Sequence, residues 1–163
     1  MEPVGLSFSC RVACLAGHCC RRWRLLLHEE KALTYEINAN ETVAGDVLAY
    51  LMEAAEKHDP EYTDETLLQD CSALTLRDGG ELMLAAAYQV HERGHGRELT
   101  VIMANGSKAK FVKWLPLMKD AFVELARVEG CDRVLVSVSR PAMERALSAL
   151  DFGPVATLMR FMV

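Results

Sequence analysis

Long hydrophobic runs are missing from this chain of 163 residues. No stretch approaches the ~18 consecutive apolar residues that a membrane-crossing helix needs, so a membrane is not an expected partner. A basic excess is missing as well: 18 lysines and arginines against 23 aspartates and glutamates leave a formal charge of -5. General nucleic-acid binders carry a basic face, which makes nucleic acid an unexpected partner. The early arginines (Arg11, Arg21, Arg22, Arg24) follow apolar residues, whereas a secretory leader places its positive charge first. A zinc knuckle is lacking too. Cys10, Cys14, His18, Cys19 and Cys20 offer ligand types, but their spacings are C-x₃-C and adjacent cysteines. A knuckle needs C-x₂-C and a second ligand pair at finger distance, so no metal is expected. Nor are the six cysteines spread through the chain as in a small disulfide-stapled secreted domain: four crowd into the first twenty residues, and Cys71 and Cys131 stand alone. Reduced thiols and a cytoplasmic location are expected. Repeats, low-complexity tracts and interdomain linkers are absent.

What the chain does have is material for one core, since 51% of its residues are hydrophobic, ample for a single domain of this length. Its organising stretch is Glu98–Ser139. Leu99–Met103 (LTVIM) reads as a buried strand, and Asn105-Gly106-Ser107 as a turn ending in a helix N-cap. Phe111, Trp114, Leu115, Met118, Phe122, Leu125 and Ala126 recur at steps of three and four, which gives one apolar helical face. Gly130 suits the left-handed residue that ends a helix, and Val134–Val138 (VLVSV) reads as a second buried strand. Two parallel strands joined through a helix form a βαβ unit. The turn before such a helix is an anion site, because its N–H groups are unsatisfied and the helix end is positive. Pro116 interrupts the apolar period. It predicts either a kinked helix or a separate turn through Trp114 before a helix that starts at Pro116.

Residues 1–31 mix cysteines, arginines and short apolar runs without sustained periodicity, and read as a loose extension or a short surface helix. Ala32–Ile37 reads as a strand. Asn40 or Thr42 offers a cap for an amphipathic helix from Val43 to about Lys57. Thr63-Asp64-Glu65 opens a short helix through Cys71. Ala73–Leu76 and Glu81–His91 flank the turn Asp78-Gly79-Gly80, a strong hairpin signal. A second hairpin loop at Gly94 and Gly96 leads into the Leu99 strand. Pro141 starts a last helix whose buried face is Met143, Ala146, Leu147 and Leu150. Val155–Met162 (VATLMRFM) reads as a final strand.

The order strand, helix, helix, three antiparallel strands, helix, strand, helix, strand resembles the GNAT superfamily of acyl-CoA N-acyltransferases. So does the tail SRPAMERALSALDFGPV, which is similar to that family's "LGF" ending, with Asp151 in place of Gly. Through NGSKAKF and the same tail the chain also resembles small acetyltransferase-like proteins of short-tailed phages, which would add a virion-associated location. The resemblance implies an α/β (α+β) fold: a mixed, mostly antiparallel sheet with a central parallel strand pair and flanking helices. It divides the chain into a Cys/Arg-rich extension, residues 1–31, and a GNAT-like domain, residues 32–163.

The implied function is transfer of an acetyl or acyl group from acetyl-CoA (acyl-CoA) to an amine of a small molecule or protein. The alternative is a catalytically degenerate domain that binds a protein partner as a phage assembly accessory. The implied cofactor segment is Met103, Ala104, Asn105, Gly106, Ser107, Lys108, Ala109 and Lys110. It departs from the family turn Q/R-x-x-G-x-G/A by lacking the leading Gln or Arg and by carrying Ser107 where Gly is usual. Candidate bases are Glu98, foremost, with His91, His95 and Glu92. The family's acidic Tyr in the last helix falls here on Leu147, or Ala146 in the neighbouring register. Cys131, between a helix end and a strand, reads as structural.

Overall fold

In the computed structural model residues 9–15, 18–26, 34–58, 65–94, 96–106, 111–138 and 140–155 are described. The backbone forms β1 (Ser9–Leu15), β2 (His18–Leu26), β3 (Thr34–Thr42), α1 (Gly45–His58), a 3₁₀ turn (Glu65–Leu68) and β4 (Ser72–Asp78). Then follow β5 (Glu81–Arg93), β6 (Gly96–Gly106), α2 (Phe111–Val128), β7 (Arg133–Val136) and α3 (Pro141–Ser148). The strands make one seven-stranded sheet in chain order. Neighbours are antiparallel except β6 and β7, which are parallel and joined by α2. The fold is GNAT-like and mixed α/β.

Strand alternation divides the core between the two faces of the sheet. On one face Val47 and Leu51 of α1 bury against Leu68, Ala73, Ala85 and Ala87. On the other, Trp114, Met118, Phe122 and Leu125 of α2 bury against Ile37, Leu74, Leu76, Leu84, Tyr88, Leu99 and Val101. Helices on both faces explain why LMLAAAY and LTVIM are continuous apolar runs: each neighbouring residue faces a covered side. In the Asp78–Glu81 hairpin, Gly79 and Gly80 take φ of 57° and 92°. A two-residue loop that matches the strand twist needs this conformation.

Several expectations need correction. β3 runs on through Thr42, with an irregularity between Asn38 and Glu41. Asn40, at φ 61°, accepts a hydrogen bond from the Tyr88 hydroxyl. Asn40 and Thr42 therefore belong to the sheet, and α1 begins at Gly45 without them. α2 is one helix with exposed Pro116 inside it, so the separate-turn alternative falls away. The helix gives up one i→i−4 hydrogen bond there. β7 stops at Val136, two residues short of the expected end. Ser9–Leu15 and His18–Leu26 form two strands, not a short helix, and β2 pairs with β3. The expected final strand beyond Val155 lies outside the described residues.

Candidate functional site

The site is built where two irregularities of β6 coincide. β5 and β6 pair from Arg93↔Gly96 to Leu84↔Gly106, but Ala87 faces Met103 while Tyr88 faces Val101. Ile102 is the extra residue of a β-bulge, which bends its strand and leaves one residue out of the ladder. On the opposite edge, β6 pairs with β7 from Glu98↔Arg133 to Val101↔Val136 and no further. From Ile102 to Gly106, β6 has no strand partner on its β7 side among the described residues. Backbone N–H and C=O groups there are left to seek other partners.

A clasp holds the free end of β6 toward α1. The Asn105 side-chain amide donates to the Tyr50 carbonyl at 2.5 Å, and its oxygen accepts from the Gly106 N–H at 2.8 Å. The Tyr50 hydroxyl in turn donates to the Met83 carbonyl of β5 at 3.1 Å. The first bond ties β6 to α1, and the last ties α1 to β5. Asn105, assigned from sequence to the cofactor turn, thus has its side chain committed to positioning β6. Met103 is half-buried against the α1-side core, and Ala104 is exposed. Ser107, Lys108, Ala109 and Lys110 lie outside the described residues.

The other end of β6 is tied down. Glu98 is buried, with Arg93 Nε 2.6 Å from Oε1 and Arg133 Nε 3.1 Å from Oε2. Arg97 Nη1 donates to the Glu129 carbonyl at 2.5 Å, and the Asp132 N–H donates to the Arg97 carbonyl at 2.8 Å. Gly96, at φ 134°, lies so close to Asp132 that a Cβ there would stand 1.9 Å from Oδ2. Four strand steps separate Glu98 from Ile102, about 13 Å of chain. The leading candidate base therefore sits at the closed end of the strand pair. His91 lies directly across from it on β5, half-buried. Glu92 is exposed, 3.7 Å from Arg97. His95 lies outside the described residues.

Tyr88 went unremarked in the sequence, yet it stands beside the bulge. It is buried with its ring edge-on to Phe122 at 6.0 Å, and burial pushes its phenol up to about 12. A phenol so enclosed fixes β5 to β3 and stays protonated. Leu147, on which the resemblance would place an acidic Tyr, is the one buried residue of α3. Cys131 is half-buried with its thiol pushed up by desolvation, as a structural cysteine should be. None of the described helices is long and apolar enough to cross a membrane.

Similar architecture occurs in solved acetyltransferases. An aminoglycoside acetyltransferase from an uncultured soil metagenomic sample superposes with a TM-score of 0.59 at 15% identity, covering 79% of this chain and 97% of that one. Ribosomal-protein-alanine N-acetyltransferase from Brucella melitensis gives 0.58 at 16% identity, with the same coverage of each chain. An acetyltransferase of Trypanosoma brucei gives 0.55 at 14% identity, covering 79% and 99%. At these identities the likeness is one of fold. No family model and no curated protein matches the sequence.

Proposed function

We propose that the chain is a GNAT-like N-acyltransferase that binds acyl-CoA between β6 and β7 and transfers the acyl group to an amine. The reading rests on one coincidence: the bulge at Ile102 falls where the parallel pairing ends. An extended amide chain such as pantetheine is the ligand that an unpaired strand edge accepts, by adding to it as a further strand would. The free backbone from Ile102 to Gly106 fits such a group. Met103 to Gly106 would line the arm, and Ser107 to Lys110 would take the pyrophosphate, with Lys108 and Lys110 supplying positive charge. A backbone N–H aimed at the thioester oxygen would stabilise the charge that develops there during attack. When bound, acyl-CoA supplies the activated acyl group. The chain's share is to hold that group in line with an incoming amine.

A second reading is favoured by two particular residues. Leu147 occupies the position of the family's acid, and Glu98 is taken up by two arginines. Both fit a degenerate domain that has kept the fold for binding a protein partner. Incubation with radiolabelled acetyl-CoA and a panel of amines (polyamine, aminoglycoside, peptide N-terminus, lysine peptide) separates the two. Label on an amine at a rate proportional to enzyme supports transfer. Saturable acetyl-CoA binding with no labelled amine supports the degenerate domain. Absence of both sinks the cofactor reading altogether.

A further inference from the structure

One cluster of charge lies apart from the gap between β6 and β7, on the face of the sheet that α1 only partly covers. His91, Glu98 and Arg133 stand in one rung across β5, β6 and β7. Alternation along β5 puts His91 and Arg93 on the same face as Ala87, and Ala87 packs in the α1-side core. Beyond that core the face opens: Gln89, His91 and Thr100 are half-buried, and Arg93 and Arg133 are exposed.

The buried Glu98 carboxylate sets the two arginines side by side. Arg93 Nε stands 2.6 Å from Oε1 and Arg133 Nε 3.1 Å from Oε2, while the guanidinium-bearing side chains remain 67% and 52% exposed. Each arginine approaches through Nε, which leaves its two Nη groups for another partner. Among the described residues Glu98 is the one acid within ion-pair distance of either, so two positive charges meet one negative. The neighbouring Asp132 carboxylate accepts the Arg97 N–H at 3.2 Å, and Glu92 lies 3.7 Å from Arg97 Nε. A guanidinium matches a carboxylate in shape and donor spacing. Holding two of them in place beforehand removes part of the ordering cost that weakens exposed ion pairs.

The pair also lies at a defined distance from the gap. Four strand steps, about 13 Å, lead from Glu98 to Ile102, with Thr100 between them on the same face. We propose that Arg93 and Arg133 bind the carboxylate of an acidic peptide whose N-terminal amine reaches the gap. The inference rests on the acyltransferase reading for what the gap does, and it narrows the acceptor to an amine with a carboxylate about 13 Å away. Three residues of extended chain and one Asp side chain span that distance. Acceptors that are cationic throughout, such as polyamines, lack the group that the arginines take.

The test is calorimetry on the full chain, with and without saturating acetyl-CoA. The probes are two pentapeptide amides with free N-termini, alanine throughout except for Asp or Asn at the fourth position. The Asp peptide should bind roughly fivefold tighter, and 0.5 M salt, roughly, should erase most of that preference. Arg93→Gln and Arg133→Gln should each remove it; each variant keeps one arginine on Glu98, and the comparison on the parent chain needs no variant. The proposal is overturned if the two peptides bind equally, if neither binds at millimolar concentration, or if the preference survives both substitutions. The acyltransferase reading is judged separately, by the heat of acetyl-CoA itself. An Asp preference without acetyl-CoA binding keeps the arginine site and sinks that reading; acetyl-CoA binding with equal peptides does the reverse.

Discussion

The two ends of β6 belong to one strand and could hardly differ more. At the start Glu98 is clamped by Arg93 and Arg133, the Asp132 N–H donates to the Arg97 carbonyl while the Arg97 N–H donates to the Asp132 carboxylate, and Gly96 lies against that carboxylate. At the finish the strand bulges at Ile102, loses β7 after Val101 and is drawn toward α1 through Asn105. A parallel pair zipped over its whole length would leave no edge for a ligand. One zipped at one end only leaves the remaining β6 edge unpaired among the described residues, and the charged clamp lies at the paired end. Stability and binding should therefore respond to different residues of the same strand.

The largest expected effect is at the closed end. Gly96→Ala forces a Cβ into Asp132 Oδ2 and holds an L-residue at φ 134°. Asp132 is exposed and its carboxylate can turn aside, so the positive φ sets the cost, up to about 3 kcal/mol, a fall in melting temperature of at most roughly 6–12 °C. A fall of less than a degree would show that the backbone at Gly96 is not held at that positive φ. Glu98→Gln comes next. It leaves two guanidiniums facing a neutral amide, but Arg93 and Arg133 are 67% and 52% exposed and can turn to water. The loss should be roughly 1–3 kcal/mol, below that of a wholly buried pair. Acetyl-CoA affinity should stay within about twofold, since the mutation lies about 13 Å from the gap. A collapse of transfer rate at unchanged stability would instead make Glu98 the base.

Asn105→Ala sharpens the contrast from the open end. It removes the two hydrogen bonds of a half-buried amide, for about 1–2 kcal/mol of stability. By releasing β6 toward β7, however, it should weaken acetyl-CoA binding severalfold, read by calorimetry. Equal binding by mutant and parent would uncouple the clasp from the gap. The smallest effect is one of pH. Tyr88 has a folded pKa of about 12 against an ordinary 10, so its contribution is complete below about pH 10 and is lost as pH rises toward 12. Alkaline melts should show that loss, and Tyr88→Phe should flatten it. An identical alkaline fall in the variant would assign the loss elsewhere.

Much of this fold was legible because composition and turn chemistry agree. LTVIM and VLVSV read as strands covered on both faces, and Asp78-Gly79-Gly80 read as the hairpin it is. The site was legible only in part. A continuous apolar run shows no alternation, so a one-residue bulge at Ile102 leaves no trace in it. Asn105 looked like a turn residue because its partner, Tyr50, is 55 positions away. Glu98 looked available for chemistry because the pairing with Arg133 follows from register, which spacing does not reveal. The strands β1 and β2 hid for another reason: SCRVACL and HCCRRWRLL show no regular alternation of apolar and polar residues, so no period-two signal marks them. The absent tyrosine of α3, by contrast, was visible at once, and Leu147 is indeed core.

Whether the unpaired end of β6 takes acyl-CoA is measured directly by the melting temperature of the full chain in excess acetyl-CoA. A ligand at one hundred times its Kd stabilises the native state by about 2.7 kcal/mol, which for a chain of this length is a rise of roughly 5–10 °C. That rise, present with acetyl-CoA and absent with AMP at the same concentration, is the predicted result. An unchanged melting temperature at millimolar acetyl-CoA would contradict it.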